Sequence, residues 1–205
     1  MTAFNEKIEE IIKIEWEMFQ NVRNIGGRAA CQDDWETFYI MRGSQFMCWT
    51  DQMTGLYLLH LKNAQKKGRN LISEKYGRMM KHTYPAYYKA EIEPYLPPVS
   101  EHAEAVVKEI LSLLLIWEKE FAEKYPQLSK AGRPVTSNED EKGITSMETY
   151  ERGELCTYSD SLLDAYLDYV KELKIYGKSL SVMQRDIMVR LYGYSSIEEA
   201  EAAVR

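Results

Sequence analysis

The chain has 205 residues, 45% apolar and 28% charged, with a formal net charge of −6 and a pI near 5.3. This is a globular rather than a disordered balance, at a length that suits one core or two closely packed halves. The acidic total repels phosphate backbones and argues against nucleic acid as a partner, outside the local run Lys62, Lys66, Lys67, Arg69, Lys75, Arg78 and Lys81. Cys31, Cys48 and Cys156 are odd in number and lack CxxC spacing, which argues against a disulfide framework or a zinc knuckle and for a reducing, cytoplasmic setting. The first residues lack the apolar core of a signal peptide, and no apolar run reaches the roughly 20 residues of a membrane span.

Apolar residues at 4, 8, 11, 12, 18, 19 and 22 recur at helical spacing and predict a first helix, ended by Gly26-Gly27. Glu15 interrupts this stripe, and a carboxylate on an apolar face needs a partner. The bland reading pairs it with an arginine such as Arg42; the functional one makes it a pocket carboxylate. Asp33-Asp-Trp-Glu36 has capping-box spacing, with Asp33 as the expected cap. The second helix then runs to about Trp49, with Phe38, Met41, Cys48 and Trp49 facing inward and Arg42 and Gln45 on or beside that face. Thr50-Asp51 can cap a third helix closing at Gly68, and Asn70 a fourth ending near His82.

Residues 84–99 hold four of the six prolines and form the natural joint. Ser100-Glu101 opens a long helix to about Lys124, stopped before Pro126. The polar stretch 127–143 is the longest without periodicity, which marks a functional or mobile loop. Thr145-Ser-Met-Glu148 repeats the capping-box spacing, Ser159 can cap a helix closed by Gly177, and two further helices cover Leu180 to Leu191 and the segment after Ser195/Ser196.

Set side by side, the two parts repeat. Trp16-Glu17 answers Trp117-Glu118 at a shift of 101, Gly27-Arg28 answers Gly132-Arg133 at 105, Glu36-Thr37-Phe38 answers Glu148-Thr149-Tyr150 at 112, and Gly68-Arg69-Asn70-Leu71 answers Gly177-Lys178-Ser179-Leu180 at 109. The matches keep one order. The expected fold is therefore all-α, a single compact bundle of about eight helices. It is built from two pseudo-symmetric four-helix halves, 1–83 and 100–193, joined by the Pro-rich 84–99.

The candidate chemistry clusters around the first loop. Cys31, near a helix start, is a possible thiol nucleophile, although the neighbouring Asp33 and Asp34 oppose the helix end and a small buried residue is the simpler reading. Asp34, if turned inward, could work with Glu15 as an acid–base pair. Arg28 and Arg133 follow glycines in matched loops and could clamp a carboxylate or phosphate, or equally serve helix ends or internal acids. No histidine has a glutamate three residues ahead of it, so no di-iron motif is present and no metal ligands are assigned. No glycine-rich phosphate loop, nucleophile elbow or dinucleotide fingerprint identifies a cofactor.

The stretches Cys31-Gln-Asp-Asp-Trp-Glu-Thr-Phe38, Met41-Arg42, Ser44-Gln-Phe46, Gly68-Arg-Asn-Leu71, Gly132-Arg-Pro134, Glu148-Thr-Tyr150, Arg152-Gly-Glu154 and Arg190-Leu-Tyr-Gly193 together resemble the uncharacterised bacterial family called domain of unknown function 4125, over nearly the whole chain. The resemblance implies no reaction. It does imply company with a nucleotidyltransferase-like domain in some relatives. Two functions are expected: an enzyme or binding protein for a small anionic metabolite held in a cleft between the duplicated halves, with Glu15, Cys31 and Asp34 as reactive groups and Arg28, Arg42, Gln45 and Arg133 as ligand contacts; or a non-catalytic helical adaptor docking a partner through the basic 62–81 face.

Overall fold

The computed structural model describes residues 4–141 and 143–204. The first half contains α1 (Glu6–Gln20), α2 (Trp35–Met47), α3 (Asp51–Lys66) and α4 (Leu71–Thr83). The proline-rich joint carries the short α5 (Pro85–Tyr87), a π-helical turn (Tyr88–Ile92) and a 3-10 turn (Glu93–Tyr95). There follow α6 (Glu101–Lys124), α7 (Pro126–Lys130), α8 (Met147–Leu155), α9 (Asp160–Ile175), α10 (Leu180–Leu191) and α11 (Ile197–Ala203). Among the described residues there are eleven α-helices and no strand, against about eight expected. The additions include α5 and α7, each opened by a proline whose fixed φ suits a first helical turn.

Most helix starts follow the polar residue that precedes them. Asn5, Thr50, Asn70, Ser100, Ser159, Ser179 and Ser196 each accept a backbone N–H from the first turn that follows. Two predicted caps are one residue out. Asp34, not Asp33, caps α2, accepting from Thr37 N at 3.0 Å, because Asp33 closes a 3-10 turn over Ala30–Asp33 and gives its carboxylate to Arg28. Ser146, not Thr145, caps α8, while Glu148 accepts from Ser137 N at 2.9 Å and fastens the preceding loop. That loop is further bound by Asp140, which accepts from Ser146 N and the Thr149 hydroxyl. It also contains most of α7 and a 3-10 turn over Ser137–Glu139, so its described residues hold more regular structure than the sequence indicates.

Helices α3 and α9 end alike. Gly68 and Gly177 take φ of +68° and +62°, where a side chain would be strained, and the next N–H reaches back to Ala64 O and Leu173 O, both at 2.9 Å.

Packing arranges α1 against α2, α3 and α4, and α6 against α8, α9 and α10. Between the two groups α4 packs on α8, α10 on α2, and α3 on α9. The α4–α8 approach depends on Gly153: a Cβ there would lie 2.9 Å from Met79 Cγ and 3.0 Å from Lys75 O. One large core joins α1–α4, α6, α8, α9 and the start of α10; a satellite core of Phe121, Tyr125, Val189, Ile197 and Ala200 holds α11 down. Met41, expected to face inward, is 43% exposed, and the inward positions of α2 are Tyr39, Ile40, Arg42 and Phe46.

Candidate functional site

Four charged side chains lie in the core where α1, α2, α4 and α8 converge. Glu15, Arg42, Lys75 and Glu154 are 0%, 6%, 3% and 3% exposed. Removing an ion from water costs several kcal/mol even after relaxation, so each must be fully partnered, and each is. Glu15 accepts from Arg42 Nε at 2.7 Å, Arg42 Nη2 at 2.5 Å and the Tyr57 hydroxyl at 2.6 Å. Glu154 accepts from both Nη atoms of Arg42 at 3.2 and 3.0 Å, Lys75 Nζ at 2.5 Å, Gln45 Nε2 at 3.0 Å and the Tyr158 hydroxyl at 2.6 Å. Gln45 Oε1 takes another Arg42 N–H at 2.6 Å, and the Phe46 ring lies 4.9 Å from the guanidinium carbon. One planar guanidinium thus bridges two carboxylates from opposite halves of the chain.

The electrostatics follow from this. Burial alone would discharge Arg42, but Glu15 and Glu154 outweigh it and hold its pKa well above the ordinary value. Burial likewise opposes ionisation of Glu154, yet Arg42 and Lys75 pull its pKa well below the carboxylate range. Burial beside these carboxylates pushes Tyr57 and Tyr158 well up, so both remain hydroxyl donors. Glu151, one helical turn before Glu154, is a third carboxylate facing only two cations. Burial first and the Glu154 charge second raise its pKa to about 7, against the weaker pull of Lys75 and Arg42.

The expected partner of Glu15 is therefore Arg42. Asp34 is exposed at the head of α2 and occupied as a cap, so it makes no pair with Glu15. Arg28, also exposed, is tied within its own loop to Asp33 (2.8 Å), the Gln32 carbonyl (3.0 Å) and the Gln20 side chain. Arg133 donates to Thr145 O at 3.0 Å and covers the Tyr150 ring at 4.7 Å, with Lys75 Nζ 3.4 Å from the same ring centroid. Cys31 is exposed rather than buried. Burial, first of all, pushes the pKa of Tyr76 to about 12.

Lys75 and Glu154 escaped the sequence reading as site residues. Lys75 looked like part of a solvated basic run, although Leu71, Ile72 and Met79 at i−4, i−3 and i+4 place it on an apolar face. The rest of that run disperses: Lys62 pairs with Glu10 at 2.6 Å and Arg69 with Glu74 at 2.7 Å.

On the outer side of the α4–α8 pair, the proline-rich joint and the start of α6 close a cleft of about 810 Å³. Arg78, Lys81, Lys108 and Arg152 line it, with His82 and Cys156 and with the carboxylates Glu93, Glu101 and Glu104. Arg78 donates Nη2 to Pro97 O at 2.6 Å, while its buried Nε has no partner among the described residues. Arg152 has only a long 3.4 Å contact to Glu148, and neither Lys81 nor Lys108 has an ion-pair partner among the described residues. Burial raises the pKa of the Cys156 thiol, opposed by the charges of Arg78, Arg152 and Lys81 and reinforced by that of Glu104. Four cations and three carboxylates thus line the cleft, with Lys81 exposed and Arg78 and Arg152 half-buried.

A family model described as Protein of unknown function (DUF4125) matches residues 5–202. The chain belongs to that family. No curated protein and no solved structure matches it. The family match spans both the buried ion network and the cleft, and assigns neither a role. Among the described residues no helix is long and apolar enough to cross a membrane, and no three His, Cys, Asp or Glu side chains group to hold a metal ion.

Proposed function

We propose that this DUF4125 chain is an intracellular protein that binds, or acts on, a small anionic metabolite in the cleft between α4, α6 and α8. The observation that carries the reading is that Arg78, Lys81 and Arg152 line one cleft, with Arg152 and Lys81 lacking a close ion-pair partner among the described residues. The Arg78 Nε is too buried to meet an anion in the cleft, so an anion's oxygens would be met by the outer nitrogens of Arg78 and Arg152 and by Lys81. The reading gives Glu15, Arg42 and Gln45 a positioning part: with Glu154 and Lys75 they fix α4 and α8, from which the cleft cations project.

The cleft lies between duplicated halves in this account. Under the sequence repeat α1, α2, α3 and α4 correspond to α6, α8, α9 and α10. That correspondence turns the α4–α8 packing into α10–α2 and leaves α3–α9 paired with itself, as a pseudo-twofold arrangement requires. The repeat alignment also equates Arg42 with Glu154, so the central ion pair would straddle the axis. A partner protein on the 62–81 face has less support, since outside the cleft only Lys66 and Lys67 of that run are exposed without an ion-pair partner among the described residues.

Thermal-shift measurement with inorganic phosphate, dicarboxylates and divalent metals tests the reading, comparing wild type with Arg78→Ala and Arg28→Ala. A shift with anions that Arg78→Ala removes and Arg28→Ala leaves intact is expected. A shift abolished by Arg28→Ala alone would place the anion in the first loop instead.

A further inference from the structure

A second cleft, of about 700 Å³, opens between the start of α1, the α2–α3 turn and α10. Its walls differ in chemistry from those of the first. Ile8, Phe46, Ile187 and Leu191 make it apolar, Trp49 forms part of the wall, and Arg190 stands at the rim. Such a volume takes a molecule of drug-like size, and an apolar wall with a few polar groups is the usual form of a small-molecule site.

One polar group selects the occupant, because the indole N–H of Trp49, although it has no acceptor among the described residues, is too deeply buried to meet a molecule in the cleft. Arg190 engages the Asp186 carboxylate through Nε at 2.9 Å, which leaves both terminal nitrogens without a partner among the described residues. A guanidinium in that state presents two parallel N–H groups, the arrangement that matches a carboxylate. The other charge on the wall, Asp51, is already neutralised by Lys7 at 2.5 Å. Both charges of the rim are thus paired, and what it offers an occupant above the apolar body is the pair of unused terminal N–H groups of Arg190.

We infer that this cleft is a binding site for an amphiphilic monocarboxylate, with its hydrocarbon part against Ile8, Phe46, Ile187 and Leu191 and its carboxylate on Arg190. The inference goes beyond the anion cleft and does not depend on it, because the two clefts share no residue. Under the proposed duplication they are counterparts. Each is framed by the first two helices of one half and the fourth of the other, and the alignment sets Lys81 and His82 opposite Arg190 and Leu191. Divergence would then have kept the cation-rich lining in one copy and replaced most of it with hydrocarbon in the other.

Titration of the full-length protein with decanoate, decanol and decylammonium, each below its micelle concentration, tests the site by tryptophan fluorescence and calorimetry. Saturable one-to-one binding of decanoate is expected, about tenfold tighter than decanol, with decylammonium weakest. Arg190→Gln, at an exposed position, should erase the difference between decanoate and decanol. Ile187→Arg should abolish binding of both while leaving the phosphate-induced thermal shift of the other cleft in place. Absence of saturable decanoate binding overturns the inference, as does decanoate binding that survives both variants or is lost on Arg78→Ala.

Discussion

Arg42→Met is the most informative single perturbation of the core. Methionine roughly fills the volume but removes every donor that Arg42 offers to Glu15 and Glu154. Glu154 keeps Lys75, whereas Glu15 keeps only the Tyr57 hydroxyl. Leaving one buried charge uncompensated costs about 3–5 kcal/mol. For a chain of this size each kcal/mol lowers Tm by roughly 2–4 °C, so the expected drop is about 6–20 °C. Urea unfolding followed by circular dichroism gives the free energy directly, and the m-value shows whether the native state has loosened. The variant Glu15→Gln in the Arg42→Met background removes the stranded charge and should recover at least about 1 kcal/mol relative to Arg42→Met alone. A single variant that loses under about 1 kcal/mol, or a double variant no more stable than the single, would refute the view that this pair is buried and mutually dependent.

Glu151 makes stability depend on pH near neutrality. Its folded pKa of about 7 lies above the usual carboxylate value, so the folded state holds its proton more tightly than the unfolded chain. That contribution is fully present below about pH 4.3 and is lost as pH rises towards 7, by up to roughly 3 kcal/mol. Glu151→Gln should flatten the stability profile between pH 5 and 8 and raise stability at pH 8; an unchanged slope would remove Glu151 as its source. Glu154 has the opposite sign, since its depressed pKa contributes stability above the unfolded value that is lost on acidification below about pH 4. Gly153→Ala pushes a methyl against Lys75 O and Met79 and should cost about 1–3 kcal/mol in urea unfolding. Gly55→Ala meets only Lys7 Nζ at 3.8 Å and should stabilise by roughly 0.5–1 kcal/mol, so equal effects at the two sites would contradict the close α4–α8 approach. Thiol labelling should modify exposed Cys31 first, while Cys48, whose pKa burial raises to about 12, reacts only after unfolding.

Much of the helical framework is legible in the sequence because caps, prolines and glycines act locally. The helix opened by Ser100 and expected to reach about Lys124, and the one expected roughly over Leu180 to Leu191, are found there, since a serine, a proline or a glycine bounds each. The two misread caps show the limit of that logic. Asp33 and Asp34 both satisfy the local pattern, and the choice was made by Arg28, whose position depends on the fold of the loop. Glu15 announced its need for a partner because a single carboxylate on an apolar stripe is anomalous at any depth. Lys75 gave a weaker signal, since its basic neighbours made a solvated face the economical explanation. The charged cleft was hidden for another reason: it combines α4, α6, α8 and the proline joint, and only packing brings Arg78 and Arg152 together.

Where an oxyanion binds is the most direct test of the account. Crystals soaked in selenate, a tetrahedral anion visible by its anomalous scattering, should show a peak between Arg78 and Arg152 beside Cys156, absent in Arg78→Ala crystals. A peak at Arg28 or Arg133 with the cleft vacant would contradict the assignment of the cleft as the anion site.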